Sequence, residues 1–150
     1  MNKFMKEAIE EAKKAFSEGE VPVGAVVVKN GEIISRSHNL SEQMNNPTHH
    51  AEMLAINRAL EKLGAKNLKG CELYVTLEPC AMCIGACALC KIDKVYFGAY
   101  DTKSGACGGK CDVLREGCYD YKTEIFGGIE ETECKKILTD FFVQVREEKS

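Results

Sequence analysis

Two short motifs between residues 48 and 83 decide how the rest of the chain can be arranged. They read Thr48-His49-His50-Ala51-Glu52 and, further along, Leu77-Glu78-Pro79-Cys80-Ala81-Met82-Cys83. The pattern is His-x-Glu followed by Pro-Cys-x-x-Cys. One imidazole and two thiolates suit zinc, and a zinc ion with three protein ligands keeps its fourth position open for water, as catalytic sites do. The stretch therefore predicts an open zinc site.

The residues between and after the motifs predict alternating helices and strands. Apolar residues at three- and four-residue spacing predict a helix over 51–63 that ends at Gly64 and is capped by Thr48. A strand is expected over 71–77, and a second helix from Cys80 to about Cys90. Both motifs then fall at helix N-termini, where the positive end of the helix favours thiolates and carboxylates.

The same kinds of pattern predict helices and strands in the rest of the chain. The other expected elements are a helix over 2–17, strands over 21–28 and 32–38 joined by an Asn30-Gly31 turn, a strand over 94–99, a weak strand over 123–128 and a helix over 130–147. Residues 100–122 are expected to form a long loop with a short helix near Val113 and Leu114. The strand–helix–strand unit over 71–99 implies parallel strands. We therefore expect one domain over residues 1–150, with a three-layer α/β/α fold and a mixed sheet of about five strands with helices on both faces.

Composition narrows the functional classes. The 150 residues carry a net charge of −3, which argues against a protein that binds nucleic acid through its overall charge. A local basic surface could still contact a short nucleic-acid segment. We expect no membrane association, since no apolar run approaches the roughly 18 residues of a membrane span. The N-terminus lacks an apolar signal core, which predicts a cytoplasmic protein. Nine cysteines, an odd number, then indicate reduced thiols rather than a disulfide framework.

A purely cysteinyl metal site is the main alternative for the ligands. Cys80, Cys83, Cys87 and Cys90 form C-x2-C-x3-C-x2-C, which could hold a structural zinc or an iron–sulfur cluster. On one continuous helix these positions spread over about 15 Å, too far for one metal. We therefore favour His50, Cys80 and Cys83, with Cys87 and Cys90 as buried small apolar residues.

Other candidate ligands carry weaker signals. Cys107, Cys111 and Cys118 fit no familiar pattern of metal ligands. His49 is expected in a loop or on the surface, and His38 has no partner visible in the sequence. Glu52, by contrast, follows His50 by two residues and could face the water on the metal. A carboxylate there can take a proton from water and pass it to a leaving amine, which suits hydrolysis at an electron-poor carbon that bears an amino group.

With these residues in place, the chain resembles the cytidine deaminase superfamily of zinc deaminases, whose signature and mechanism are known. Further blocks resemble bacterial tRNA-specific adenosine deaminases over nearly the whole chain. These blocks are Val21-Pro22-Val23-Gly24-Ala25-Val26, Asn39, Asn46-Pro47-Thr48, Leu73-Tyr74-Val75-Thr76-Leu77-Glu78-Pro79-Cys80, Phe97-Gly98-Ala99, Asp101, Lys103-Ser104-Gly105-Ala106 and Asp140-Phe141-Phe142. The chain departs from the family at Asp120-Tyr121, where Asn-His is common, and in its extra loop thiols.

The resemblance implies hydrolysis of adenosine to inosine at the wobble position of a tRNA anticodon, by a homodimer with one zinc ion per subunit. It implies that His50, Cys80 and Cys83 bind zinc and that Glu52 shuttles the proton. Substrate contacts are implied by position: Asn39 with the flipped base, Val21 and Val23 with its apolar wall, Asp101 with the sugar of the preceding nucleotide, and Phe142 and Arg146 with neighbouring anticodon nucleotides. Apolar and aromatic walls offset part of the free energy of taking a base out of its stack.

Two other functions remain open at this point. One is a deaminase of a free base or nucleoside, such as guanine, cytosine or cytidine, which the mildly acidic charge suits. The other is a non-catalytic zinc or iron–sulfur protein that binds partners. Glu52 separates the second from an enzyme, because a structural metal site has no use for that carboxylate.

Overall fold

A computed structural model describes residues 1–149 as a five-stranded mixed sheet between two layers of helices. The helices are α1 (Lys3–Ser17), α2 (Ala51–Leu63), α3 (Ala81–Leu89) and α4 (Glu131–Lys149), and the strands are β1 (Gly24–Lys29), β2 (Glu32–His38), β3 (Cys71–Leu77), β4 (Lys94–Ala99) and β5 (Glu124–Phe126). The strand order is β2-β1-β3-β4-β5. β1 is antiparallel to both β2 and β3, whereas β3, β4 and β5 run parallel. The predicted fold class and the parallel β3–β4 pair are thus confirmed.

Alternation along the strands divides the apolar residues between the two faces of the sheet, because successive side chains point to opposite sides. On β1, Ala25 and Val27 pack with α2 and α3, while Val26 and Val28 pack with α1. The side chains of β3 alternate in the same way, and Leu73 packs on the face that α2 and α3 cover. Helices consequently cover both faces and bury the sheet between two apolar cores.

The predicted element boundaries hold to within a few residues, with three corrections. His50, not Thr48, is the N-cap of α2, because the chain is still extended at His50. The predicted short helix near Val113 and Leu114 is wrong, since that segment forms turns only. The sequence predicts that the apolar stripe of the last helix consists of Cys134, Ile137, Leu138, Phe141, Phe142 and Val145. Of these only Cys134 and Phe141 are buried, and Phe142 is 46% exposed.

The topology gathers several chain segments at one edge of the sheet. β3 and β4 both end there, at Leu77 and Ala99, which pair in register. Because β1 is antiparallel to β3, its first residue, Gly24, lies at the same edge and pairs with His38 at the end of β2. The segments that follow β2, β3 and β4 and the one that precedes β1 therefore meet at this edge, the place where ligands bind in open α/β sheets.

None of the helices in residues 1–149 is long and apolar enough to cross a membrane.

Candidate active site

His50, Cys80 and Cys83 lie together at this edge, and their ligand atoms are all within 4.8 Å of one another. His50 Nδ1 is 3.7 Å from Cys80 Sγ and 3.5 Å from Cys83 Sγ. A tetrahedral zinc with Zn–N and Zn–S bonds of about 2.1 and 2.3 Å requires N···S separations of roughly 3.6 Å. The two measured separations fall on either side of that value. The separations of His50 from the two sulfurs therefore match those around one shared zinc ion.

Helix starts place these three groups. His50 is the N-cap of α2 and Cys80 is the N-cap of α3, so Cys83 lies in the first turn of α3 on the same side as Cys80. Neither cap side chain bonds to its own helix. Asn39 instead accepts a hydrogen bond from the Ala51 N–H through Oδ1, at 2.8 Å. This bond satisfies one of the unpaired donors at the start of α2 and leaves His50 available to a metal.

Proton sharing distinguishes the two thiols. A hydrogen bond with Cys83, supported by one with His50, lowers the pKa of Cys80 to about 4. The pKa of Cys83 is raised, because its thiol is the donor to Cys80 and because the side chain is fully buried. Without metal, Cys80 is thus the thiolate of the pair. A cation between the two sulfurs would favour deprotonation of both.

Glu52 lies beside this group, buried in the first turn of α2 with 4% of its surface exposed. Burial is the main cause that raises the pKa of Glu52 to about 7, and the nearby His50 opposes the shift. A carboxyl group with a pKa near neutrality can both accept and release a proton at pH 7. This property suits an acid–base group better than a structural anion.

The pocket over the group has a volume of about 260 Å³, close to the lower end of small-molecule sites. Val21, Val23, Asn39 and Asp101, four of the predicted substrate residues, line it together with His50, Glu52 and Cys80. Phe142 and Arg146 do not line it; both are exposed on α4. The structure therefore brings four of the six predicted substrate residues to the metal group.

Asn39 makes two hydrogen bonds within the protein, in addition to its predicted contact with a base. Its Nδ2 donates to the Val21 carbonyl at 3.2 Å, while Oδ1 accepts from Ala51. The side chain thus joins the segment before β1 to the start of α2. Because an amide NH2 carries two hydrogens, one remains for a base.

Sequence reasoning missed two buried carboxylates in the pocket wall, Glu20 and Glu78. Glu20 is 1% exposed and accepts hydrogen bonds from the N–H groups of Glu42 and Gln43. Glu78 is 3% exposed and accepts three from the segment after β4. The only signal in the sequence is that Glu78 immediately precedes Pro79-Cys80, since its partners are loop backbone groups that no pattern identifies.

The remaining cysteines and histidines do not form a second metal group within residues 1–149. Cys87 is buried as predicted, whereas Cys90 is only partly buried. His38 has partners that the sequence does not reveal: its two ring nitrogens lie 3.0 Å from carboxylate oxygens of Glu11 and Glu18. His49 is partly buried beside the site, and its Nδ1 has no hydrogen-bond partner within the described chain.

Known proteins share this arrangement. The family model described as the cytidine and deoxycytidylate deaminase zinc-binding region matches residues 1–99. The tRNA-specific adenosine deaminase of Bacillus subtilis (strain 168) is 50% identical over 146 residues, which cover 97% of this chain and 91% of that protein. This chain belongs to the family of zinc deaminases that includes the tRNA-specific adenosine deaminases. A second relative of this deaminase, the tRNA-specific adenosine deaminase of Aquifex aeolicus (strain VF5), is 48% identical over 95% of the chain and 94% of the relative.

Solved structures agree with this assignment. A structure from a study of A-to-I editing by tRNA:A34 deaminases superposes on this deaminase with a TM-score of 0.87 and 39% identity, covering 92% of this chain and 100% of that one. The guanine deaminase of Bacillus subtilis is also similar, with a TM-score of 0.64 and 37% identity, covering 80% of this chain and 73% of that one. The family thus includes proteins that act on RNA and on a free base.

Proposed function

We propose that this deaminase hydrolyses adenosine to inosine at the wobble position of a tRNA anticodon. The observation that carries the reaction class is the buried Glu52 carboxylate beside a three-ligand group spaced for zinc. The substrate class is supported by the 50% identity to a tRNA-specific adenosine deaminase over almost the full length of both chains. In the reaction, water adds at C6 of adenine, the bond from C6 to the amino nitrogen breaks, and ammonia leaves.

His50, Cys80 and Cys83 would hold the metal, one zinc ion per chain. Zinc in an open site of this kind supplies a water nucleophile at neutral pH. Glu52 would take one proton from the attacking water and pass it to the ring nitrogen N1, and would then pass the proton of the new C6 hydroxyl group to the amine, which leaves as ammonia. Its burial serves this role, because a pKa near 7 lets the same carboxyl group act first as base and then as acid.

The pocket wall would hold the flipped adenine. Val21 and Val23 offer an apolar surface, and Asn39 offers an amide hydrogen beside them. Asp101, on the opposite rim, would accept a hydrogen bond from the sugar of the preceding nucleotide. Phe142 and Arg146 lie outside this pocket, so we assign them to nucleotides farther from the zinc, where an exposed ring can stack on a base.

We also propose that the protein works as a homodimer in the cytoplasm and that residues 1–150 form one domain. The apolar side chains of Leu89 and Met44 are 69% and 57% exposed, and contact with a second copy would remove such side chains from water. Light scattering on the purified protein tests the dimer. A mass of one chain at micromolar concentration contradicts it.

A free-base deaminase is the second candidate, and the similarity to guanine deaminase favours it. The acidic pocket wall also suits a small neutral purine better than a phosphate backbone. The proposal of a tRNA substrate is the stronger of the two. The guanine deaminase structure has a lower TM-score than the tRNA deaminase structure, and its alignment covers a smaller share of both chains.

One assay separates these candidates. Purified protein is incubated with an anticodon stem-loop that carries a wobble adenosine, and separately with guanine, cytosine, cytidine and free adenosine. We expect inosine in the stem-loop and no turnover of the free compounds. Turnover of a free base or nucleoside alone contradicts the proposal, and bound zinc with no turnover of any substrate indicates a non-catalytic zinc protein.

A further inference from the structure

The segment after β4, residues 101–111, forms a wall of the pocket without belonging to any helix or strand of the sheet. It carries Asp101 and Ser104 to the pocket rim. Its backbone is held by the side chain of Glu78, which lies between the end of β3 and the ligand Cys80, and by the Ala106 N–H, which donates to the Pro79 carbonyl at 2.9 Å. Glu78 is 3% exposed. One buried carboxylate thus connects the segment that carries Cys80 with the segment that carries Asp101 in the pocket wall.

The contacts of Glu78 are specific for an acceptor with two oxygens. Oε1 accepts a hydrogen bond from the Asp101 N–H at 2.9 Å. Oε2 accepts from the Cys107 N–H at 3.0 Å and from the Gly109 N–H at 2.8 Å. No ion pair to Glu78 is found within residues 1–149. Three oriented backbone dipoles therefore compensate the buried charge in place of a cation.

The loop is shaped to wrap closely around this carboxylate. A Cβ atom at Gly105 or Gly109 would overlap both the Glu78 carboxylate and the Asp101 carbonyl oxygen. The Asp101 carbonyl in turn accepts from the Gly105 N–H at 2.9 Å. Only glycine fits at these two positions. The close approach is consequently a property of the sequence as well as of the carboxylate.

Asp101 is held from two sides. Its backbone N–H donates to Glu78, and its Oδ1 accepts from the N–H groups of Lys103 and Ser104 at 3.0 and 3.1 Å. The side chain is therefore oriented by its own turn, while the position of the turn relative to the metal group depends on Glu78. Loss of the Glu78 bond would shift Asp101 without touching the zinc ligands.

We propose that Glu78 is a positioning residue for the RNA substrate: it sets the distance between Asp101 and the metal group, and so determines binding of the nucleotide beside the target adenosine. This inference rests on the proposed function. Glu78 does not touch the reacting atoms and acts through Asp101. It therefore contributes to binding of the stem-loop more than to the chemical step.

Glu78→Gln tests this role with little change of shape. The amide oxygen can keep the two bonds from Cys107 and Gly109, which places the NH2 group against the Asp101 N–H, where two donors face each other. We expect KM for the stem-loop to rise about tenfold to a hundredfold, the effect of losing the charge-assisted hydrogen bond that Asp101 would make to the RNA. We expect kcat to change less than about threefold and zinc content to stay at the wild-type level.

A double-mutant cycle shows whether Glu78 acts through Asp101. In an Asp101→Ala background, Glu78→Gln should raise KM by less than about threefold, because the contact that it positions is already gone. Glu32→Gln, which removes an exposed carboxylate from the first residue of β2, is the matched control and should behave as wild type. Equal effects of Glu78→Gln in both backgrounds overturn the proposal.

Gly109→Ala provides a second variant that leaves the charge in place. Its Cβ forces the loop away from Glu78, so it should reproduce the rise in KM with kcat and zinc retained. If both variants lose the fold or the zinc, Glu78 is a structural residue and the inference is wrong. Wild-type protein with zinc but no stem-loop turnover overturns the proposed function, whereas an active wild type matched by Glu78→Gln overturns this inference alone.

Discussion

Replacement of Glu52 by Gln should separate catalysis from metal binding. Glu52 is almost fully buried, and burial raises its pKa to about 7, so near neutral pH it can exchange protons in either direction. Gln has nearly the same shape and leaves no cavity. It cannot transfer a proton, and it is not one of the three side chains grouped for zinc. The substitution therefore removes one chemical property and little else.

The size of the effect follows from the number of proton transfers. General acid–base catalysis by a positioned side chain contributes about 10²- to 10⁴-fold. Because the proposed mechanism gives Glu52 two proton transfers, from the water to the purine ring and from the new hydroxyl group to the leaving amine, we expect kcat to fall toward the upper end, about 10³- to 10⁴-fold. At about 1.36 kcal/mol per decade this is roughly 4 to 5.5 kcal/mol of transition-state stabilisation.

Single-turnover formation of inosine in the anticodon stem-loop measures the loss, and elemental analysis measures the zinc. Glu61→Gln is the matched control, since it removes an exposed carboxylate from the same helix. We expect that control to retain wild-type activity and both proteins to retain zinc. Activity of Glu52→Gln within tenfold of wild type would refute the acid–base role. Loss of zinc together with activity would instead make Glu52 part of the metal site.

Further perturbations test the candidate ligands, the buried carboxylate of Glu11 and the RNA contact. His50→Ala should lose zinc and activity while Cys90→Ala keeps both, as measured by elemental analysis; the reverse result would revive the four-cysteine site. Burial alone would raise the pKa of Glu11, but hydrogen bonds to a histidine and a lysine lower it overall. The Glu11 carboxylate therefore stabilises the folded protein at pH values above its unfolded pKa of 4.5, and this stabilisation is lost as the pH falls through the lower pKa of the folded state. Urea unfolding should show the stability difference between wild type and Glu11→Gln shrinking below about pH 4.5, and a constant difference would contradict this. Phe142→Ala should raise KM for the stem-loop about 5- to 150-fold, the range of about 1–3 kcal/mol for stacking one base, with an unchanged melting temperature, whereas Val143→Ala, also exposed on α4, should not; equal effects would remove the stacking role.

Most of the fold could be predicted because local patterns carry it. The strand over 71–77 and the strand over 94–99 coincide with β3 and β4, since β-branched and aromatic runs bounded by turn residues have few other solutions. The helix cap could not be predicted in the same way. Thr48 has the right chemistry, but Asn39, twelve residues before Ala51, makes the bond. Such a contact depends on how distant segments meet.

The same distinction between local patterns and contacts of distant segments applies to the candidate site. The His-x-Glu and Cys-x-x-Cys spacings point to one metal group because each pair is local to a helix start, and the structure brings both pairs together. Phe142 is different. The sequence alone places it with the apolar residues of α4, whereas packing leaves it exposed, with its ring against Phe141. Solvent exposure is decided by which face of the helix meets the sheet.

The sequence by itself predicted the spacing of the candidate zinc ligands, the carboxylate beside them and the α/β alternation, because each depends on neighbours within one turn or one strand. Only the tertiary structure decided that Val21, Asn39 and Asp101 share a pocket with Glu52, since antiparallel β1 and parallel β3 and β4 carry separate segments to one edge. It also decided the contacts of Glu78. That carboxylate finds its three donors 23 to 31 residues away, across loop backbone that has no sequence signature.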